Sequence, residues 1–320
     1  MRDSPPMVSD PFSDILSLTQ ARSLVTGGFT AGARWSVRFH PSGRAKFFGV
    51  VRGSCWLCME GREAVRLGEG DVFLTSAERP YAISSDPCVL PVDSKVAFAG
   101  QDGVMKALGE GDECLVIGGH VELDPARGNI LRDVLPPLIH VRADMPEAVA
   151  TRWLLAQLVA ERQNDPPGAA FASAQLAQLM LVQVLRVHLA TGGPLDTGLL
   201  RAINDPRIAP ALRLMHAEPG RAWQLPELAK ATAMSRTTFA GYFKAVAGMP
   251  PLAYLAQWRM RLAERSLRDE NTPISRIAQS LGYGTESAFS HAFKRITGVA
   301  PGQYRKTSIG VRATSDEPDP

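Results

Sequence analysis

The sequence predicts an α+β protein in which a β-rich N-terminal barrel and a helical connecting segment precede an all-α C-terminal domain. Three observations predict this order. Short β-prone runs separated by Gly, Pro and Ser fill residues 10–120, two long helical patterns follow, and one helix-and-stop pattern occurs twice near the C-terminus. The length of 320 residues suits two or three domains.

Composition excludes several classes of protein. Hydrophobic residues make up 45% of the chain and charged residues 21%, which are ordinary values for a globular protein. No run approaches the ~18–20 apolar residues of a membrane span, and the N-terminus lacks the pattern of a secretory signal. Four cysteines are too few for a disulfide scaffold of this length. We therefore expect a cytoplasmic protein without membrane contact.

Charge is distributed unevenly along the chain. Residues 206–310 contain 11 arginines and four lysines against six acidic residues, a net charge of +9, whereas residues 1–205 carry −4. This asymmetry is expected when only one domain contacts a polyanion such as nucleic acid.

The N-terminal region begins with a short predicted helix after Pro11. Predicted strands follow at 35–39, 47–51, 55–59, 65–67 and 71–74. Many short strands at such spacing are typical of a barrel or a sandwich.

The connecting region contains two helical patterns after Pro146, separated by a break at 164–168. Their apolar stripes exceed what one flank of a barrel normally covers, so we predict a homodimer helix pair. Packing against the barrel is the alternative. The runs Thr191-Gly192-Gly193-Pro194 and Asn204-Asp205-Pro206 mark the boundary before the basic region.

The C-terminal region contains an internal repeat with a spacing of 50 residues. Its members are Phe239, Phe243, Lys244, Gly248, Pro251 and Tyr254, repeated as Phe289, Phe293, Lys294, Gly298, Pro301 and Tyr304. Phenylalanines at i and i+4 lie on one helix face, the glycine suits a helix C-cap, and the proline prevents continuation. The same helix and stop are therefore predicted twice.

Each copy follows a shorter amphipathic helix and a tight turn, which together form a helix-turn-helix unit. Ala229 and Ala278 occupy the close crossing of the two helices, and Ser235 is placed to cap the second helix of the first unit. A helix of roughly 17 residues, about 25 Å long, separates the units. It could place two reading helices about one DNA turn, roughly 34 Å, apart.

Three segments carry a family resemblance. The runs Y-L-A-Q-W-R-M-R-L-A at 254–263, I-S-R-I-A-Q-S-L-G-Y-G at 274–284 and S-A-F-S-H-A-F-K-R-I-T-G-V-A-P-G-Q-Y-R at 287–305 closely resemble the AraC/XylS transcription regulators. The resemblance implies a monomeric DNA-binding domain whose two helix-turn-helix units read adjacent major-groove segments. It also implies activation through contact with RNA polymerase as the usual role, although repression is compatible with the same residues.

The exposed face of the second helix in each unit is expected to contact bases. The candidate base-reading residues are Arg236, Thr237, Thr238, Ala240 and Gly241 in the first unit, and Glu286, Ser287, Ser290 and His291 in the second. The cations at the helix ends, Lys244, Lys294 and Arg295, are candidates for phosphate contacts. For each candidate base-reading residue, the alternative is a solvated surface position that contacts no base.

Three of these positions depart from the family. Ala240 and Gly241 are small where members commonly carry large polar or basic residues, and His291 stands where arginine is frequent. The first unit is therefore expected to depend on Arg236, the threonines and DNA shape. We predict that the second unit has the sharper base preference.

The N-terminal region has a weaker resemblance. The runs V-V-R-G-S-C-W-L at 50–57 and V-R-L-G-E-G-D-V-F-L at 65–74 resemble the small cupin barrels that serve as sensor domains in such regulators. The resemblance implies a cavity for a small-molecule effector, and its candidate lining residues are Phe39, Phe48, Trp56, Phe73 and Tyr81. A fully packed core is the alternative use of these side chains.

The residues do not favour a metal cofactor or catalysis. Metal-binding cupins use several histidines and a carboxylate, but His40 is the only histidine before residue 120, and Tyr81 stands where the resemblance would place another. Cys55 and Cys58 form a C-x2-C pair whose side chains point to opposite faces of a strand. We expect a structural role for both, with a thiol sensor as the alternative.

The predicted organisation is a cupin-like sensor domain at 1–145, a helical connector and dimerisation arm at 146–204, a DNA-binding domain at 205–308 and a disordered tail at 309–320. The predicted function is a sequence-specific transcription regulator that binds double-stranded DNA and is not an enzyme. The alternatives are a metal-dependent cupin enzyme with an accessory basic domain and a constitutive architectural DNA binder.

Overall fold

The computed structural model describes residues 10–19, 22–42, 44–76, 79–101, 105–122, 135–191, 198–268 and 272–314. The chain divides into two compact units. One consists of residues 20–194, and the other combines residues 195–320 with residues 1–19.

The unit formed by 20–194 is built on two sheets. Its strands are β1 Arg22–Ala31, β2 Ser36–Phe39, β3 Ala45–Arg52, β4 Cys55–Met59, β5 Val65–Leu67, β6 Val72–Thr75, β7 Tyr81–Ser84, β8 Val92–Asp93, β9 Met105–Leu108, β10 Cys114–Glu122 and β11 Leu138–Val141. One sheet has the strand order β11-β6-β3-β10-β1-β9, and the other has the order β5-β4-β7-β2-β8. Neighbouring strands are antiparallel except for the pairs β1–β9 and β2–β8.

Alternating burial along the strands places one apolar core between the sheets. In β4, Cys55, Leu57 and Met59 are buried while Trp56 and Cys58 are half-exposed. Because successive side chains in a strand point to opposite faces, the two cysteines lie on opposite sides of the sheet, as predicted. The same core contains the fully buried rings of Phe73 and Tyr81.

The helices, in chain order, are α1 Pro11–Thr19, α2 Ser94–Ala97, α3 Val149–Asn164, α4 Ala169–Ala190, α5 Leu199–Asn204, α6 Ala209–Ala217, α7 Leu225–Ala231, α8 Arg236–Ala247, α9 Pro251–Leu267, α10 Ile274–Ser280, α11 Glu286–Thr297 and α12 Pro301–Thr314. The short helix α2 and the long helices α3 and α4 belong to the sheet-containing unit. The others form the second unit. The predicted α+β class is confirmed.

Helices α3 and α4 pack against each other and against the six-stranded sheet. Their boundaries agree with the predicted break at 164–168. By length and composition alone α4 is apolar enough to cross a membrane, but ten of its side chains are buried inside this unit. Its contacts with β1 and β11 place it against the six-stranded sheet.

The second unit has two small helical cores joined by α9. Tyr254 and Leu255, near the start of α9, belong to the core formed by α5–α8. Met260, Ala263 and Leu267, nearer its end, belong to the core that α10 and α11 complete. One continuous helix therefore supports both helix-turn-helix units, as predicted.

The first helix of the chain packs with the C-terminal residues. Helix α1 contacts α5, α6 and α9, and its Ile15 is buried. The carboxylate of Asp14 lies 2.9 Å from Nδ1 of His216, whose Nε2 is 2.7 Å from the Tyr254 hydroxyl and whose ring stacks on Trp258 at 3.9 Å. The helix after Pro11 is confirmed, but the sequence did not predict its partners.

The C-terminal tail differs in part from the expectation. Helix α12 extends to Thr314, so residues 309–314, for which we predicted disorder, are helical. That prediction rested on the acids and prolines of the last residues, whereas residues 305–314 contain no proline. Residues 315–320 lie outside the described part of the chain.

Candidate nucleic-acid interface and sensor cavity

The second helices of the two helix-turn-helix units, α8 and α11, begin and end in the same way. The Ser235 hydroxyl accepts a hydrogen bond from the Thr238 N–H, and the Thr285 hydroxyl accepts one from the Ala288 N–H, both at 3.1 Å. Each helix ends at a left-handed glycine, Gly248 or Gly298. Capping side chains satisfy free N–H groups at a helix start, and glycine adopts the left-handed conformation without a Cβ penalty. The predicted caps are confirmed.

Paired phenylalanines hold each of these helices to its core. Phe239 and Phe243 are fully buried in the first core, and Phe289 and Phe293 in the second. Their ring centroids lie 5.6 and 5.7 Å apart, respectively. Because the rings occupy one face, the opposite face of each helix remains exposed to a partner.

The turns within the two units differ by one residue. The Met234 N–H donates to the Ala229 carbonyl in the first turn, and the Tyr283 N–H donates to the Ala278 carbonyl in the second. Ser235 follows Met234 directly, but Gly284 stands between Tyr283 and the capping Thr285. The second unit therefore reaches its reading helix through a longer turn.

A close backbone contact and one arginine join the two units. A Cβ on Gly282 would lie 2.0 Å from the carbonyl oxygen of Gly220, so only glycine permits this approach. The side chain of Arg259, on α9, donates from Nε to the Pro219 carbonyl at 2.6 Å and from Nη2 to the Arg221 carbonyl at 2.8 Å. These contacts hold the loop before α7 against the turn before α11.

The sheet-containing unit has a cavity of about 210 Å³, open to solvent, beside β1, β3 and β10. Its lining includes the rings of Phe29, Phe39, Phe48 and Phe98, together with Lys46, Lys106 and His120. Paired glycines of β1 and β10 form part of the wall. A Cβ on Gly118 would lie 2.4 Å from Cδ1 of Phe48, so the ring occupies the space that a side chain would take.

A second cavity, of about 520 Å³, lies beside β2, β4 and β7 and has a more polar lining that includes Arg38, His40 and Glu60. The His40 Nε2 lies 2.6 Å from Asp93. Tyr81 also borders this cavity, but its ring stacks on Phe39 at 5.2 Å in the core.

Two cysteines of the sheet-containing unit, Cys55 and Cys58, have raised thiol pKa values. A hydrogen bond with Cys114 and burial raise the pKa of Cys55, and burial and the nearby Asp86 raise the pKa of Cys58. A raised pKa keeps a thiol protonated at neutral pH and lowers its reactivity. Within the described residues, no three His, Cys, Asp or Glu side chains come together as a metal site would require.

Comparison with known proteins identifies the family. A profile of cupin domains matches residues 10–190, and a profile of helix-turn-helix domains matches residues 228–307. AraC-like transcription regulators of Streptomyces lividans and Streptomyces antibioticus are 42% and 40% identical over 299 residues, which cover 93% of this chain and 98% of each relative. The chain belongs to the AraC-like transcription regulators.

This AraC-like regulator is therefore a DNA-binding protein with an N-terminal cupin domain and a C-terminal helix-turn-helix domain. Its relatives are transcription regulators. Among solved structures, the DNA-binding domain of the global transcriptional factor AdpA in complex with a target DNA is 25% identical. The match covers 34% of this chain and 98% of the AdpA domain, with a TM-score of 0.33.

The structure places the candidate DNA contacts of the regulator on the outer faces of α8 and α11. Arg236, Thr237, Thr238, Gly241, Glu286, Ser287 and His291 are exposed, as are Lys244, Lys294 and Arg295. Ala240 and Ser290 are half-buried. Thr237, Gly241 and Lys244 lie on the face of α8 opposite its buried phenylalanines, and the equivalent face of α11 carries Ser287, His291 and Lys294. Arg236 and Glu286 are the first residues of their helices.

The structure separates the candidate effector residues of the regulator. Phe39 and Phe48 line the smaller cavity, and Tyr81 borders the larger one. Phe73 packs against Phe48 at 5.0 Å, and Trp56 is half-exposed on the outer face of β4. Neither Phe73 nor Trp56 is among the residues that line these two cavities.

Sequence reasoning missed several residues that the structure brings to these sites. Lys46 and Lys106 reach the smaller cavity from β3 and β9, and Arg259 bridges the two helix-turn-helix units. The available signal was the pair of adjacent glycines at 27–28 and again at 118–119, which indicates strands with a close neighbour. No local pattern distinguishes Arg259 from the other arginines of α9.

Proposed function

We propose that this AraC-like regulator reads its operator with α8 and α11, one in each of two adjacent major-groove segments. Two capped helices with exposed faces, presented by one helical unit with a net charge of +9 over residues 206–310, carry this proposal. A helix fits the major groove, where base edges present a distinct pattern of donors and acceptors for each base pair.

The candidate readers differ in chemistry between the two helices. Arg236, Thr237 and Thr238 form the exposed start of α8, and Glu286 and Ser287 form that of α11. Arginine suits guanine, an acidic side chain can accept from cytosine N4, and hydroxyls serve either role. Ala240 and Gly241 offer α8 no polar side chain further along, which supports a sharper base preference for α11.

The cations at the ends of the reading helices are proposed to bind phosphates. Lys244, Lys294 and Arg295 are exposed, and within the described residues none of them pairs with a carboxylate. Phosphate contacts fix the register of a protein on DNA without reading sequence. Replacing one of them should weaken binding to all sequences and reduce its salt dependence.

Selection of bound sequences from random duplex DNA tests the proposal. We expect a motif of two adjacent segments, and affinity for it well above a salt-dependent background. Stronger discrimination in the segment bound by α8 than in that bound by α11 would contradict the proposed preference. Salt-dependent binding without a motif would indicate an architectural DNA binder instead.

We further propose that residues 1–145 form a sensor without enzymatic activity, that residues 146–204 form the dimerisation arm and that residues 205–308 bind DNA. Two cavities in the sheet-containing unit support a role in effector binding. A ligand changes DNA binding only when its affinity differs between two arrangements of the protein. Contact with RNA polymerase, activation and a cytoplasmic location are the family-based parts of this proposal.

The exposed apolar side chains of α3 and α4 support the homodimer. Val149 and Trp153 lie one turn apart on α3, and Phe171 and Leu179 project from α4. Trp153 is 57% exposed and Phe171 is 74% exposed. Apolar residues clustered at a surface mark interaction sites, and a second copy of the same helix pair is the proposed partner.

A further inference from the structure

The smaller cavity of the sheet-containing unit combines aromatic walls with positive charge. Lys46 and Phe48 are two residues apart on β3, so their side chains share the face that lines the cavity. His120 of β10 lies directly opposite Lys46 in the strand register. The walls are therefore apolar while one edge is cationic.

Lys46 has no anionic partner within the described residues. Its ammonium group lies over the Phe39 ring, 5.2 Å from the centroid, and it forms none of the ion pairs found there. Burial lowers the pKa of Lys46. A half-buried ammonium without a counterion loses hydration that an anion in the cavity would replace.

The other polar groups at this edge are already paired with protein atoms. The Lys106 ammonium donates to the Gln101 carbonyl oxygen. Glu122, whose carboxylate lies 3.4 Å from His120, is also 3.9 Å from Arg44. Both lysines therefore bring positive charge to the cavity, but the Lys106 ammonium has a carbonyl acceptor, whereas within the described residues Lys46 has neither a carboxylate nor a hydrogen-bond acceptor.

The volume limits the size of a ligand. One water needs ~10–15 Å³ of cavity volume, so 210 Å³ admits a small organic molecule rather than a single water. The four phenylalanine rings suit a hydrocarbon or aromatic body, and the lysines disfavour a cation.

We propose that this cavity binds a small carboxylate, an organic monoanion with an apolar body of about five to eight carbon atoms. The carboxylate pairs with Lys46, and the body packs among Phe29, Phe39, Phe48 and Phe98. The inference rests on the proposed sensor function of this unit and names the chemical class of its ligand.

Calorimetric titration of the full-length protein with phenylacetate and hexanoate, and with the neutral amides phenylacetamide and hexanamide, tests the charge requirement. Each amide matches its acid in size and lacks only the negative charge. We expect at least one acid to bind about tenfold or more tightly than its amide, because hydrogen bonds between ionised groups are about twice as strong as neutral ones. Equal affinity of acid and amide, or no binding of either acid, would overturn the proposal.

Variants at Lys46 test the position of the carboxylate. Lys46→Met keeps most of the side-chain length and removes the charge, so it should weaken binding of the acid about tenfold or more. Lys46→Arg should retain most of the affinity. Lys95→Met, at an exposed lysine of α2 that does not line the cavity, is the matched control. Unchanged affinity of the acid in Lys46→Met would overturn the proposal.

DNA binding measured on the same proteins separates this inference from the proposed function. An unchanged thermal unfolding profile of Lys46→Met shows that the sheet-containing unit, which carries Lys46, is folded. If an acid binds through Lys46 but leaves operator affinity unchanged, the site is supported and effector control fails. If neither acid binds and operator binding is intact, the site fails while the DNA-binding function stands.

Discussion

Asp71 organises the turn before β6 at the scale of single residues. Its carboxylate accepts hydrogen bonds from the N–H groups of Gly68 at 3.0 Å and Ala143 at 2.7 Å, and it lies 2.8 Å from Nε2 of His140. Burial alone would raise the pKa of Asp71, but these hydrogen bonds lower it below its ordinary value. The aspartate of the G-D-V run is therefore a structural acceptor that ties β6 to the segment after β11.

Replacing Asp71 with asparagine should destabilise the protein by about 1–3 kcal/mol, because an amide nitrogen cannot accept the N–H donors that the carboxylate accepts. Urea denaturation measures the loss. The lowered pKa means that this stabilisation is present above about pH 4 and disappears as the pH falls through the folded-state pKa. Asp144→Asn, at an exposed carboxylate, is the control and should change stability by less than about 0.5 kcal/mol. Equal effects of the two substitutions would contradict this role.

His188 gives a second pH dependence. It is buried in α4, and burial lowers its pKa below the ordinary 6.5. The unfolded chain then binds more protons than the folded chain below about pH 6.5, so stability should fall as the pH falls through this range and down to the folded-state pKa. His188→Leu should reduce this dependence in urea denaturation at pH 7.5 and 5.5, whereas His291→Leu, at an exposed position, should leave it unchanged. The same slope in both variants would contradict the prediction.

At the scale of elements, α9 and the contacts of Arg259 determine how the two reading helices are presented. Arg259 holds the carbonyls of Pro219 and Arg221, and its guanidinium group lies 5.7 Å from the centre of the Tyr283 ring. It therefore connects the loop of the first unit to the turn of the second. Two joined DNA-binding units bind more tightly than either unit alone only while the connection between them keeps both within reach of their DNA segments.

Arg259→Ala should weaken binding to a complete operator about tenfold more than it weakens binding to either segment alone, because the two units lose their fixed orientation. Fluorescence anisotropy with labelled duplexes measures both affinities. Arg265→Ala, an exposed arginine of the same helix, removes the same charge and is the control. A uniform loss on all duplexes would indicate a phosphate contact and contradict the linking role.

At the scale of the whole molecule, the sequence predicted the elements that depend on local pattern. The repeated phenylalanines, the caps at Ser235 and Gly248, and the break between α3 and α4 are periodic or punctuated signals, and they gave correct helices. Strands β1 and β10 were missed because each contains adjacent glycines, which are depleted in strands. Rings from β3 pack across Gly118 and Gly119 of β10, whereas Gly28 of β1 lies against the Val116 carbonyl oxygen and Met105.

Of the two candidate sites, the helix faces could be predicted from local sequence pattern and the cavity could not. The exposed faces of α8 and α11 follow from helical periodicity, so their residues could be named in advance. The cavity could not be derived in this way, because Lys46, Phe98 and Lys106 meet through strand pairing over long sequence separations. The register in which the strands pair decides which charged side chains meet at the cavity edge, and a single sequence does not reveal that register.

Introducing a charged side chain into the exposed apolar face of α3 and α4 tests the proposed dimer. Trp153→Glu should shift the protein from dimer to monomer in light scattering, because a charge in an apolar interface loses its hydration. Its matched control is Leu90→Glu, at a side chain that is 88% exposed outside these helices. A shift of both variants, or of neither, would contradict an interface at this face.

The docking of α1 on the helices near the C-terminus affects how this chain can be divided. Cutting at residue 195 would remove Phe12, Ile15 and Leu18 from a core to which they are distant in sequence. It would also leave the buried imidazole of His216 without the Asp14 carboxylate. A C-terminal fragment that appears complete by its helix-turn-helix motifs therefore lacks part of its own interior, and fusion tags or deletions at the extreme N-terminus act on the domain farthest away in sequence.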